Sequence, residues 1–128
     1  MSSSEVQDRL PLSTPVLHVL LALGGQRLHG YAIMQAIAEK TEGQATILPG
    51  TLYTTLNRMV DDALVEEAAP PSDQPDDERR RRYYQITDLG RRVVMAESER
   101  MAVLLAVARR EHLAGTAGDE GGLTADEA

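Results

Sequence analysis

Residues 49 to 90 constrain the fold most. The run Pro49-Gly50-Thr51-Leu52-Tyr53-Thr54-Thr55-Leu56-Asn57-Arg58-Met59-Val60 opens on proline, which suits a helix's first turn. On a wheel of about 100° per residue with Leu52 at zero, Leu56, Met59, Val60 and Ala63 fall within about 80° on either side, one apolar stripe. Thr51, Thr54, Arg58 and Asp61 occupy the opposite face, with Tyr53 and Asn57 on its shoulder. A helix lying stripe-down on its own core would present hydroxyls, an amide and a guanidinium, groups able to bond base edges and phosphates. An ordinary solvated face is the alternative for this helix taken alone.

The next 25 or so residues narrow the choice. Leu64-Val65 and then Arg82-Tyr83-Tyr84-Gln85-Ile86 read as two strands. Between them, Pro70-Pro71-Ser72-Asp73-Gln74-Pro75-Asp76-Asp77-Glu78 is unsuited to regular structure, so the hairpin is expected to have a long tip. Arg79, Arg80, Arg81 and Arg82 stand where the returning strand leaves that tip, beside the polar helix. As strand residues they would point alternately to opposite faces, so one alternate pair would meet phosphates. A solvated run neutralised by Asp73, Asp76, Asp77 and Glu78 is the competing reading. Together the segments read as a recognition helix succeeded by a wing.

The chain resembles the PadR family of winged helix-turn-helix transcriptional regulators over roughly residues 14 to 112. The resemblance rests on Leu28-His29-Gly30-Tyr31-Ala32-Ile33, on Pro49-Gly50-Thr51-Leu52-Tyr53 with Leu56 and Arg58, on Leu64-Val65, and on Arg82-Tyr83-Tyr84 followed by Ile86-Thr87 and Gly90. It implies a dimeric DNA-binding repressor with Tyr53 and its helix neighbours at the DNA and the wing arginines on the backbone. Thr54 stands where the family often has proline and Ala63 where it often has glycine, and the chain lacks tryptophan.

The flanking segments yield to the same rules. Residues 1 to 13 are polar and aperiodic, expected to be flexible. Thr14-Pro15 pairs a capping side chain with a first-turn proline, and a nearly all-apolar helix runs from there to Gly24-Gly25. A second helix is expected from His29 to Thr41, with His29 as cap or packing residue. Ala45-Thr46-Ile47-Leu48 is expected as the small third strand. Residues 14 to 87 would thus form a DNA-binding domain, mainly α with a small antiparallel wing. Thr87 caps a last helix over residues 88 to 112, which would span roughly 38 Å. Residues 101 to 108, MAVLLAVA, are apolar on every side and need cover on every side. The first helix could supply one part, a second copy of the chain the rest, with Met101, Leu104, Leu105 and Ala108 at the dimer contact. The acidic, glycine-rich residues 113 to 128 read as disordered.

Composition excludes more than it selects. The 128 residues suit one domain, and the absence of cysteine removes disulfides and thiolate metal sites. No leader or membrane-length apolar run appears, so the expected location is the cytoplasm, away from membranes. The net charge of −7 would repel a polyanion as a whole. Setting aside residues 1 to 13 and 113 to 128 leaves 14 acids against 12 bases, so a local patch, Arg58 with the wing arginines, must supply attraction. His18, His29 and His112 lack ligand spacing, and Ser98 has no nearby histidine to activate it. No catalytic residue, metal or cofactor is expected.

The sequence thus predicts a regulator binding a double-stranded DNA operator through Tyr31, Thr51, Tyr53, Thr54, Asn57, Arg58 and the four wing arginines. Tyr31 has packing as its alternative role. A protein-interaction winged helix without specific DNA binding is the runner-up. A small-molecule effector between paired terminal helices would release the repressor, but no residue identifies its pocket.

Overall fold

In the computed structural model, which describes residues 3–115, three helices bury complementary apolar faces. Helix α2 (Thr14–Leu23) buries Val19, Leu20, Ala22 and Leu23 and ends at Gly24, φ +54°. Its cap is Ser13, one residue earlier than expected and without a side-chain cap bond; Pro15 lies in the first turn. Helix α3 (Gly30–Lys40) contributes Ile33 and Ile37 to the same core. Helix α4 (Pro49–Asp61) adds Leu52, Leu56 and Met59, all fully buried. Val60, at the stripe's edge, is exposed. Ala63 leaves the wheel because α4 ends at Asp61 and the chain turns left-handed there, φ +62°. That turn costs an alanine about 1–2 kcal/mol, and two bonds from Thr87 hold it, Oγ1 donating to Ala63 O and N–H to Leu64 O.

The sheet is antiparallel, in the order β1 (Leu28–His29), β3 (Tyr83–Ile86), β2 (Val65–Ala68). Leu28 and His29 pair with Tyr84 and Tyr83, while Val65 through Ala68 pair with Ile86 through Tyr83. This corrects the expectation that residues 45–48 form the third strand. Leu48 has extended backbone as the cap of α4, but β3's other edge is already occupied by Leu28 and His29, where the chain enters α3. Ala45 N–H instead bonds to Thr41 Oγ1.

The hairpin tip departs from expectation too. Residues Asp76–Arg79 form a single helical turn, α5, and β3 begins only at Tyr83. Arg79 therefore ends α5, Arg80 caps it, and Arg81 and Arg82 lie in the bend before the strand. None of the four is a strand residue, so the alternating-face argument does not apply to them.

The expected flexible start is an ordered arm. Helix α1 (Ser3–Gln7) packs against α6 (Asp88–Arg110) and buries Val6. Arg9 Nη1 donates to Asp62 O at 2.9 Å, and Leu12 N–H donates to Glu97 Oε2 at 2.8 Å. Spaced apolar anchors and a buried acceptor hold the arm, features that local polarity hides.

Thr87 caps α6 as expected, its Oγ1 accepting from Gly90 N–H at 2.9 Å. Any residue but proline could give that N–H, but glycine is required at position 90 because a Cβ there would collide with the Leu64 carbonyl oxygen. The first half of α6 buries Leu89, Val93 and Glu97. Residues 101–107 are exposed, so α2 does not cover the distal apolar segment as the sequence suggested; the cover stops short of it. Most of the acidic tail expected at 113–128 lies outside the described residues. Among the described residues, no helix is long and apolar enough to cross a membrane.

Candidate nucleic-acid interface

With its stripe buried, α4 leaves Thr51, Tyr53, Thr54, Asn57 and Arg58 exposed. The helix divides them into two flanks. Tyr53 and Asn57 face the wing; Thr51 borders the N-terminal turn of α2, beside Thr14 and His18. Thr54 and Arg58 lie near Ser13 and Val16. Among the described residues Arg58 makes no ion pair, and its guanidinium is free to engage a base or phosphate.

On the wing side a groove of about 410 Å³ is lined by His29, Gly30, Tyr53, Asn57, Arg81, Arg82 and Tyr84. Gly30 shapes it. A Cβ at that position would come 2.7 Å from Tyr53 Cζ and closer still to its hydroxyl, so the absent side chain lets the ring of Tyr53 lie against the start of α3. The structure thus brings Tyr53, Asn57, Arg81 and Arg82 together. Arg79 and Arg80 do not line the groove, nor does Tyr31, which stands exposed on α3.

Carboxylates attend the wing arginines. Arg80 pairs with Asp77 at 3.9 Å, Arg81 with Glu78 at 3.4 Å and Arg82 with Glu67 at 3.6 Å. Arg79 bonds the Pro71 carbonyl at 3.0 Å. The neutralised-run reading is therefore partly realised, with Glu67 from β2 replacing the expected Asp73 and Asp76. The Arg80 and Arg82 pairs are well exposed, and exposed pairs are weak enough for a phosphate to displace, whereas Glu78 of the Arg81 pair is half-buried. The Tyr84 hydroxyl, and then Glu67, raise the pKa of Arg82 above its ordinary value, keeping the cation intact.

Beneath the wing tip, Tyr83 is buried and its hydroxyl has no hydrogen-bond partner among the described residues. Burial, and then Glu78, push its pKa up. The ring meets His29 edge-on, centroids 5.3 Å apart. His29 Nδ1 accepts from Ala32 N–H at 3.1 Å as the cap of α3, and Nε2 lies 2.8 Å from Glu78 Oε1. Sequence reasoning found the cap but missed the pairing with Glu78, since the two residues are 49 positions apart. Tyr84 was visible only as a strand residue. Among the described residues no group of three His, Cys, Asp or Glu side chains could hold a metal.

The three core helices α2, α3 and α4, a three-stranded antiparallel sheet and an exposed helix face running into an arginine-bearing hairpin define a winged helix-turn-helix protein. The chain belongs to the PadR-like family of transcriptional regulators, whose family model matches residues 16–96. No curated protein matches the sequence. Among solved structures, a transcriptional regulator from Clostridium thermocellum is 22% identical, with a TM-score of 0.61 over 86% of this chain and 96% of that one. A PadR family transcription regulator from Clostridium difficile is 21% identical, TM-score 0.59, over 77% and 97%. Bacillus subtilis PadR, solved in complex with operator DNA, is 18% identical, TM-score 0.54, over 71% of this chain and 47% of that one. At these identities the likeness is one of fold.

Proposed function

We propose that this chain is a sequence-specific repressor that binds a double-stranded DNA operator as a two-fold dimer. The observation that carries the reading is the continuity of the polar face of α4 with the groove holding Arg81 and Arg82. A helix of this exposure fits a major groove, where Thr51, Thr54, Asn57 and Arg58 would meet base edges. Tyr53 and the wing arginines would hold the backbone, with Tyr31 on a flanking phosphate. The B. subtilis relative solved with operator DNA supports the same use of the fold.

Residues 14 to 87 act in this reading as the DNA-binding unit and residues 88 to 112 as the dimer helix. The distal half of α6 exposes Met101, Leu104 and Leu105 beside the half-buried Ala108, and a second copy offers an identical apolar surface. Two-fold pairing would set two recognition helices for successive major grooves. Such a dimer works in the cytoplasm on chromosomal DNA. A small-molecule effector would release it by binding one of two dimer geometries more tightly.

Titration of a fluorescent duplex from the region upstream of its own gene, against a scrambled duplex at physiological salt, tests the proposal. Affinity for the upstream duplex about a thousandfold or more above the scrambled one is expected. Equal affinity for both would overturn specific binding and favour the protein-docking role.

A further inference from the structure

His29 is bound on both ring nitrogens. Because Nδ1 accepts the Ala32 N–H, it has no proton to give, so the ring's one proton sits on Nε2 and is donated to Glu78 Oε1. Glu78 turns its other oxygen, Oε2, to Arg81. A chain of contacts therefore runs from the first turn of α3 through imidazole and carboxylate to a guanidinium lining the groove beside α4. The imidazole is only 12% exposed and braced edge-on by Tyr83, so its direction is fixed by packing. Glu78 belongs to α5, a single turn between proline-rich and arginine-rich bends. A four-residue helix has little stability of its own. Arg27 Nη1 secures the start of the loop at the Ala69 carbonyl, and His29 secures its far end.

We propose that His29 is the positioning residue of the wing: through Glu78 it holds α5 over the sheet and sets Arg81 in the groove for a DNA phosphate. The phosphate rests on the proposed DNA-binding function; the tether itself is independent of it. The two nitrogens make the roles separable. In His29→Asn the short amide keeps a cap acceptor near the Nδ1 position, and asparagine is among the best capping residues, but it falls short of Glu78. In His29→Gln the longer amide keeps a donor near the Nε2 position and forfeits the cap.

Trypsin, which cuts after arginine, reads the wing without DNA. His29→Asn and Glu78→Ala are expected to be nicked at residues 79–82 several-fold faster than the unaltered protein, and His29→Gln at close to its rate. Melting temperatures should run the other way, with His29→Gln below His29→Asn. A purely structural histidine would make nicking follow melting temperature; that result, or unchanged nicking in His29→Asn, would overturn the tether. On duplex DNA, His29→Asn should weaken cognate and scrambled sequences alike and flatten the plot of log affinity against log salt by about 0.9, one phosphate contact. His29→Gln should keep the original slope, and the same loss in His29→Gln would overturn the positioning role. If the unaltered protein binds neither duplex, the DNA reading fails, while the crossed order of nicking and melting still decides the tether.

Discussion

Helices α4 and α6 both leave a face uncovered, and the faces are opposite in chemistry. In α4 the apolar stripe of Leu52, Leu56 and Met59 is fully buried and the open face carries Thr51, Thr54, Asn57 and Arg58. In the distal half of α6 the open face is the apolar one, with Val103 and Leu104 more than half exposed. Yet the first half of that same helix buries a carboxylate, Glu97, at 1% exposure. Burial tracks available partners rather than residue type. Glu97 has Arg100 Nε at 2.6 Å and Leu12 N–H at 2.8 Å, whereas the leucines farther along find no facing element among the described residues. A hydrogen-bonding, cation-bearing face is complete when it meets a polyanion, and an apolar one when it meets another apolar face.

The largest expected effect breaks the apolar side. Leu104→Glu would place two carboxylates in the proposed two-fold contact, and uncompensated burial of charge is prohibitive. Light scattering should change from the mass of two chains to that of one, 14.0 kDa, or show aggregation. Operator affinity should fall by about a hundredfold or more with the loss of the second half-site. A single-chain mass for the unaltered protein at micromolar concentration would remove the dimer.

The polar side divides into reading and holding. If Arg58 reads a base, Arg58→Ala should cost about 1–3 kcal/mol on the operator and much less on scrambled DNA. The double variant Arg81→Ala with Arg82→Ala should instead weaken both duplexes and lower the salt slope by about 1.8, two contacts. Anisotropy titrations at several salt concentrations separate the two patterns. Arg79→Ala with Arg80→Ala should change the slope least, because those arginines lie outside the groove.

Most of this contrast is legible in the sequence, and its gaps have physical reasons. Period marks the buried stripe of α4 because three apolar positions recur on one face, and Thr87 advertises the start of α6 by its capping chemistry. The exposed arginine-bearing flank and the apolar segment at 101–108 are likewise local patterns. Strand β1 is not, because two residues become a strand only by pairing with β3. The N-terminal arm hides its order since its apolar anchors, Val6, Leu10 and Leu12, are scattered among polar residues, and its docking depends on Glu97, 85 residues beyond Leu12. Turn α5 is invisible because the prolines before it and its own acids signal irregularity, while its position depends on His29.

A smaller effect tests where the anchored part of α6 ends. The Arg100 guanidinium, helped by Leu12 N–H and opposed by burial, lowers the pKa of Glu97 below its ordinary 4.5. A carboxylate lowered in the folded state stabilises above its unfolded pKa, and that stability is lost as pH falls through the folded value. Glu97→Gln keeps an acceptor for Leu12 but gives up the charge, so it should cost about 1 kcal/mol at pH 7. The difference from the unaltered protein should shrink below pH 4.5. Urea melts at neutral and acid pH measure this, and a gap that widens in acid would reverse the sign assigned to Glu97. The dimer mass should not change, because Glu97 lies outside the exposed segment.

The smallest effect sharpens the polar face. Arg82 is held by Glu67 at 3.6 Å, both side chains well exposed, so solvent screening leaves the pair weak. A phosphate taking Arg82 must compete with that carboxylate and is also repelled by it. Glu67→Gln removes both terms without shortening the side chain, so affinity for operator and scrambled DNA should rise together, by up to about fivefold. The salt slope then tells which arrangement the bound state adopts. If Arg82 already leaves Glu67 for a phosphate in the unaltered protein, the number of contacts is the same and the slope stays constant. If Glu67 retains Arg82 on DNA, freeing it adds a contact and steepens the slope by about 0.9. Weaker binding by Glu67→Gln would mean that the carboxylate positions Arg82 rather than restrains it, and carboxylate and phosphate would then not be competitors for the same guanidinium.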